Sequence, residues 1–157
     1  MSEAEQQVLS PVTIIKKNIS AFSTKRFIIS PLIEEDKQLI CSLYTNEQIM
    51  LHISPVLTPE KAEHSFDIML RSMKKDVPRI IGWSITVKAT GKKIGFQALS
   101  WRKWQQAKTD PLFQTGDQPE IGIMLTEAAQ GKGYAEEAMG ALMEFAYKHL
   151  AIATIHL

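Results

Sequence analysis

Gln130-Gly131-Lys132-Gly133-Tyr134-Ala135 stands between a short β-prone run, Glu120-Ile121-Gly122-Ile123-Met124-Leu125, and a stretch with Ala135, Ala138, Met139, Leu142, Phe145, Ala146 and Leu150 on one face. Apolar residues recurring every three or four positions predict an amphipathic helix, and the two glycines at its head predict a tight turn. A strand that runs through such a turn into a helix is suited to hold phosphate. The first N–H groups of the helix have no intrahelical partner, and the helix dipole favours an anion there. A side chain at Gly131 or Gly133 would keep a pyrophosphate away from the backbone, and Lys132 adds a positive charge beside it. The chain has no GxxxxGK followed by Ser or Thr, and the third glycine of the dinucleotide fingerprint is missing, so P-loop and Rossmann readings lack their residues.

Upstream, Arg26-Phe27-Ile28-Ile29-Ser30 predicts a strand closed by Pro31, which cannot donate to a sheet ladder. Glu34-Glu35-Asp36 then puts acid on the first turn of a helix whose stripe is Leu39, Ile40 and Leu43. Thr58-Pro59-Glu60-Lys61 starts a second helix, with a capping hydroxyl, Pro at the first helical position and the stripe Ala62, Phe66, Met69, Leu70 and Met73. Residues 79–88 and 93–101 are strand-like and flank Ala89-Thr90-Gly91-Lys92, which predicts a β-hairpin. Residues 102–119 are polar, with Asp110-Pro111 and Gly116-Asp117, and predict a long loop bordering a site. Ile152 to Leu157 is again β-prone, so strand, helix and strand at the C-terminal end suggest a βαβ unit. Residues 1–24 are expected to be an N-terminal extension and 25–157 one domain.

The chain's 157 residues suit a single domain with one core, and its 45% hydrophobic, 22% charged and 8% aromatic residues are those of an ordinary globular protein. Eighteen Lys and Arg against seventeen Asp and Glu leave a net charge of +1. Such a balance argues against nucleic acid or an anionic membrane as partner. Cys41, the one cysteine, can form neither an internal disulfide nor a zinc site by itself, and its neighbours Ile40 and Leu43 suggest a small core residue. His52, His64, His149 and His156 do not have metal-ligand spacing. With an acidic N-terminus and no apolar run near the ~20 residues of a spanning helix, a soluble, cytoplasmic protein is expected.

The Gln130–Ala135 stretch matches the Q/R-x-x-G-x-G/A signature of the GNAT superfamily of N-acetyltransferases, which the chain resembles over residues 25–157. Glu120 to Leu125, the turn, Glu137-Ala138 and Arg26 to Asp36 together resemble its RimJ/RimL-like branch, whose members acetylate N-termini of ribosomal proteins. The resemblance implies an α/β (α+β) fold with a mixed, mostly antiparallel sheet and flanking helices. It also implies acetyl-CoA as cosubstrate without a metal. Backbone amides of Gln130, Gly131, Lys132, Gly133, Tyr134 and Ala135 would take the pyrophosphate, while Ile123, Met124 and Leu125 would pair with the pantetheine arm as an added strand would.

Acetyl transfer to an amine needs a neutral nucleophile, a thioester carbonyl held close and a donor for the developing oxyanion. Glu120, at the head of its strand, is the candidate general base, acting directly or through water. An α-amine, with a pKa of about 7.7–8.0, makes this task modest, whereas a lysine near about 10.4 makes it harder. The acceptor is therefore left open: a protein N-terminus, a peptide or a small amine. Leu51-His52-Ile53 lies where relatives contact the acceptor and equally suits loop packing, and Trp101 and Trp104, which flank Arg102-Lys103 at the mouth of the long loop, either line a peptide site or close the hairpin.

Domains of the family continue past the fifth strand into a helix and a hairpin, and this chain stops at Leu157. None of Tyr44, Tyr134 and Tyr147 matches the position of the family's general acid, so none is assigned. The expectations that follow are slow transfer, or else a catalytically impaired acyl-CoA-binding or interaction module, and association of copies through the C-terminal strand.

Overall fold

The computed structural model describes residues 18–101 and 119–150 together with 152, 154 and 155. Five strands form one sheet in the order β1-β2-β3-β4-β5, each antiparallel to its neighbour: β1 (Phe22–Ser23), β2 (Phe27–Pro31), β3 (Ile80–Val87), β4 (Lys93–Ser100) and β5 (Glu120–Leu125). The helices are α1 (Lys37–Tyr44), α2 (Glu47–Met50), α3 (Pro59–Met73) and α4 (Tyr134–His149).

Alternation along the strands divides the core in two. Ile81, Trp83 and Ile85 of β3, with Leu99 of β4 and Ile121 of β5, form one face, and Ala138, Leu142, Phe145 and Ala146 of α4 cover it. Phe96 and Met124 lie on the other face, beneath Ile40 and Leu43 of α1 and Phe66 and Met69 of α3. Gly82 permits the second layer to come this close, because a Cβ there would lie 2.4 Å from Leu32 Cδ1 and 3.1 Å from Met69 Sδ.

The predicted hairpin is present, with Gly91 at φ +70° in its turn. The helix expected from Glu34 begins instead as a 3-10 turn, Glu34–Asp36, because the Asp36 carboxylate folds back to accept the Ile33 N–H at 2.9 Å. Asp36 is buried and pairs with Lys93 Nζ of β4. Thr58 caps α3 as predicted, accepting from Lys61 N at 3.2 Å, and Ser72 near its far end accepts from both Arg79 N and Ile80 N to set the start of β3. The short helix α2 is not apparent in the apolar pattern; it rests on Asn46, whose Oδ1 accepts from Ile49 N at 3.0 Å.

Phe22 stacks on Phe145 at 4.4 Å between ring centroids, and Trp83 Nε1 donates to Ser20 O, so residues 20–24 are bound to the sheet and to α4. Residues 1–17 of the expected extension and residues 102–118 of the long loop, with Trp104, lie outside the described residues. Of the strand expected over 152–157, only Ile152, Thr154 and Ile155 are described and none is in a strand. The sheet is thus antiparallel throughout among the described residues. The parallel βαβ unit is not seen there: Ile152 instead buries its side chain in the core beneath α4, and its N–H turns back to the Ala146 carbonyl.

Candidate active site

β5 forms one edge of the sheet among the described residues, hydrogen-bonded on its inner side to β4 in the register Ser100↔Glu120, Ala98↔Gly122 and Phe96↔Met124. Its outer edge therefore presents backbone N–H and C=O groups that an amide-bearing arm can pair with. The two-residue period puts Glu120, Gly122 and Met124 on the same face as Phe96, Ala98 and Ser100, and Ile121, Ile123 and Leu125 on the α4 face. Gly95 lets β4 and β5 come together, since a Cβ there would lie 2.1 Å from Met124 O.

Beyond β5 a 3-10 turn, Glu127–Ala129, leads to the glycine turn. Gln130 reaches back, and its Nε2 donates to Leu125 O at 3.1 Å, tying the turn to the end of the strand. Gly131 and Gly133 both have φ +76°, left-handed backbone that L side chains rarely adopt, and Gly133 is the N-cap of α4. A Cβ built on either would meet nothing within 4 Å, so both open outward onto space that a ligand can enter. The turn fits a pyrophosphate: the backbone is bare, the first N–H groups of α4 lie beside it and Lys132 is exposed.

The turn is braced from the N-terminal side of the sheet by contacts whose chemistry the helical pattern does not reveal. Glu137, in the first turn of α4, accepts from Thr24 Oγ1 at 2.6 Å, from Arg26 N at 3.0 Å and from Arg26 Nε at 2.6 Å. The Arg26 guanidinium lies 4.7 Å from the Tyr134 ring centroid, and Tyr134 meets Phe27 edge to face at 5.0 Å. Partial burial would raise the Glu137 carboxyl, but the three hydrogen bonds and the Arg26 charge outweigh it and hold the group below the usual carboxylate range. With Glu137 neutralised by Arg26, its charge opposes an anion at the helix N-terminus less.

A cleft of about 480 Å³ opens on the α1/α3 face of β4 and β5. Glu120 and Met124 of the predicted set line it, and Ile123, whose side chain is on the α4 face, also borders it; with them are Tyr44, which the sequence reading weighed as a general acid and did not assign, and Ser54, Ser65 and Ser100, which it did not single out. Hydroxyl residues at scattered positions carry no local signal, and only the closure of α1 and α3 over the sheet brings them together. Ile53, from the Leu51-His52-Ile53 stretch, lines the cleft, whereas Leu51 and His52 are exposed and not among its walls. Leu125 is buried in the core, and Gln130 to Ala135 lie beyond the cleft at the head of α4. The predicted residues thus fall into two connected groups, one along the cleft and one around the turn. Asn46 Nδ2 donates to Glu127 Oε1 at 3.0 Å and links the start of α2 to the turn that follows β5. Cys41 is half-buried, and burial raises its thiol pKa, which suits a packing role. No group of three or more His, Cys, Asp or Glu side chains that could hold a metal occurs among the described residues.

An acetyltransferase (GNAT) domain model matches residues 26–157, most of the chain. The chain belongs to the GNAT acetyltransferase family. Solved structures share the GNAT fold at low sequence identity. An acetyltransferase from Agrobacterium tumefaciens is 23% identical with a TM-score of 0.67, over 87% of this chain and 72% of its own. A spermidine N-acetyltransferase from Vibrio cholerae, solved in complex with CoA and spermine, is 15% identical with a TM-score of 0.63, over 84% and 70%. The ribosomal-protein-S5-alanine acetyltransferase from Vibrio fischeri is 16% identical with a TM-score of 0.61, over 86% and 71%. A comparison with curated protein sequences finds no significant match. No helix among the described residues is long and apolar enough to cross a membrane.

Proposed function

We propose that the protein transfers the acetyl group of acetyl-CoA to a primary amine, with the cofactor along the outer edge of β5 and its pyrophosphate on the Gln130–Ala135 turn. The observation that carries the proposal is the pair of left-handed glycines, Gly131 and Gly133, facing open space at the head of α4 directly after an edge strand. Ile123, Met124 and Leu125 offer the pantetheine arm its backbone partners, and the amine enters through the cleft that Glu120 lines. Glu120 takes a proton from the ammonium, directly or through water, so that the nitrogen lone pair can attack. The C–N bond forms at the thioester carbonyl, the nitrogen gives up its second proton, the C–S bond breaks, and the sulfur gains one proton, so that CoA leaves as its thiol.

Kinship with the RimJ/RimL-like branch belongs to this proposal, supported by Arg26 to Asp36 and by the turn with its following Glu137-Ala138. The solved structures that share the fold are named for acceptors as different as spermidine and a ribosomal-protein alanine, so the fold alone does not choose the amine. Calorimetric titration with acetyl-CoA, followed by thiol release across a panel of amines and peptides, tests the reading. Saturable binding and amine-dependent thiol release are expected; a folded protein that binds no acetyl-CoA overturns it.

A further inference from the structure

Gly122 is a glycine that the packing of the described residues does not require. A Cβ at Gly82 or Gly95 would strike Leu32 Cδ1 at 2.4 Å or Met124 O at 2.1 Å, and Gly131 and Gly133 have left-handed backbone. Gly122 has neither reason: its φ lies outside the left-handed range, and a Cβ there would meet no atom of the described residues within 4 Å. The β4–β5 register runs unbroken through it, so no bulge accounts for it either. It stands exposed in the middle of β5, where glycine weakens a strand and marks the close approach of a ligand or another backbone. Its cross-strand partner, Ala98, is small as well, and both line the cleft. On that face Glu120 and Ser100 flank the pair on one side, and Met124 and Phe96 on the other. Glu120 and Met124 are about 13 Å apart along the strand, with bare backbone between them.

Resting on the acetyl-transfer reading, we propose that Gly122 is a specificity-determining residue: the acceptor nitrogen in the cleft reaches the thioester at the outer edge of β5 over it, and it limits the bulk of the carbon that bears that nitrogen. With the pyrophosphate on the glycine turn and the pantetheine arm along Leu125, Met124 and Ile123, the arm runs toward Glu120, and the thioester comes level with Gly122. An amine that gives its proton to Glu120 then has its carbon above Gly122 and Ala98. A side chain at position 122 points into this space and holds nitrogen and carbonyl apart, and a displacement of about 1 Å is enough to cost about 100-fold in rate. A branch on the amine-bearing carbon competes with a Cβ at 122 for the same volume. Glycine there therefore admits branched carbons, such as the Cα of a peptide N-terminus other than glycine.

Steady-state acetylation by the wild type, Gly122→Ala and Gly122→Val tests this with two pairs of acceptors that differ by one branch: benzylamine against 1-phenylethylamine, and a tripeptide amide beginning with glycine against one beginning with valine. In Gly122→Ala, the ratio of kcat/KM for the branched to the unbranched member of the accepted pair should fall about tenfold. In Gly122→Val, kcat/KM should fall at least about 100-fold for every probe. Acetyl-CoA affinity, read by calorimetry, should be unchanged in both variants, and their Tm should be at least that of the wild type, because a Cβ in open space on a strand adds β-propensity and removes the entropic cost of glycine. That pairing of retained stability with lost transfer is what a merely structural glycine would not give. An unchanged ratio in Gly122→Ala, full activity in Gly122→Val, a lower Tm in either variant or a loss of acetyl-CoA affinity overturns the proposal and leaves acetyl transfer standing. A wild type that binds acetyl-CoA and acetylates none of the four probes overturns the cleft as the route of the amine, and this proposal with it, whereas a folded wild type that binds no acetyl-CoA overturns the acetyl-transfer reading itself.

Discussion

Arg26 Nε lies 2.6 Å from Glu137 Oε1, joining the residue before β2 to the first turn of α4 across 111 positions of sequence. The same guanidinium packs 4.7 Å from the Tyr134 ring, at the first residue of that helix. Glu137 thereby anchors the helix whose N-terminus is assigned the pyrophosphate, without facing the cleft itself. Glu137→Ala is expected to raise KM for acetyl-CoA about tenfold, a loss the size of one charge-assisted hydrogen bond, with kcat unchanged. Glu137→Gln, which keeps an acceptor oxygen, should recover part of it. A variant that lowers kcat and leaves KM alone would contradict this positioning role.

The same carboxylate links stability to pH. Its pKa is lower in the folded protein than in the unfolded chain, so its contribution is complete above the ordinary carboxylate value and is lost as pH falls through the lower folded value. The difference in Tm between the wild type and Glu137→Gln should therefore be largest near neutrality and should shrink below about pH 4. A difference constant down to strongly acidic pH would show that charge is not involved.

Substituting the glycines of the turn separates backbone from side-chain recognition. Gly131→Val and Gly133→Val force a β-branched residue to φ +76° and fill the space in front of the amides, whereas Lys132→Ala removes one exposed charge. Acetyl-CoA affinity should fall at least about 100-fold in either valine variant, the loss of two or more hydrogen bonds to charged phosphate oxygens, and only a few-fold in Lys132→Ala. Calorimetry on variants with unchanged circular dichroism reads this directly.

Glu120→Gln should lower kcat about 100-fold, the low end for a positioned base, and remove the acid limb of the pH–rate profile while leaving acetyl-CoA affinity intact. Full kcat across the pH range would mean that another group, or water, deprotonates the amine.

The Lys93–Asp36 pair tests the packing under the site. Asp36 is fully buried while Lys93 is partly exposed, so Lys93→Met leaves an unpaired carboxylate in the core beside the Ile33 N–H. Urea denaturation should show a loss of about 3 kcal/mol, the lower end for breaking a buried pair from one side. Asp36→Asn, which still accepts from Ile33 N and buries no charge, should cost less.

Most of the sheet and the two long helices were legible because each carries its own local signal. Thr58-Pro59 marks the start of α3, Gly91 marks the hairpin turn, and the Glu120–Leu125 strand and the glycine turn lie where the apolar periods and positive-φ glycines put them. The first helix is where its apolar stripe put it, but its opening turn is 3-10 because the Asp36 carboxylate serves the backbone of Ile33 and the ammonium of Lys93. The site was half legible. Glu120 and the turn announce themselves by local chemistry, but the brace of Thr24, Arg26 and Glu137 spans more than a hundred residues and has no local pattern. The hydroxyl and apolar walls of the cleft likewise exist only once α1 and α3 close over β4 and β5.

Mass spectrometry of a panel of primary amines and peptides incubated with the protein and acetyl-CoA addresses the central claim most directly. The account predicts an N-acetylated amine formed with stoichiometric release of CoA thiol, at a rate that collapses in Gly133→Val and in Glu120→Gln. Unmodified amine in the presence of folded, acetyl-CoA-saturated protein, or the same rate of acetylation in both variants, would contradict it.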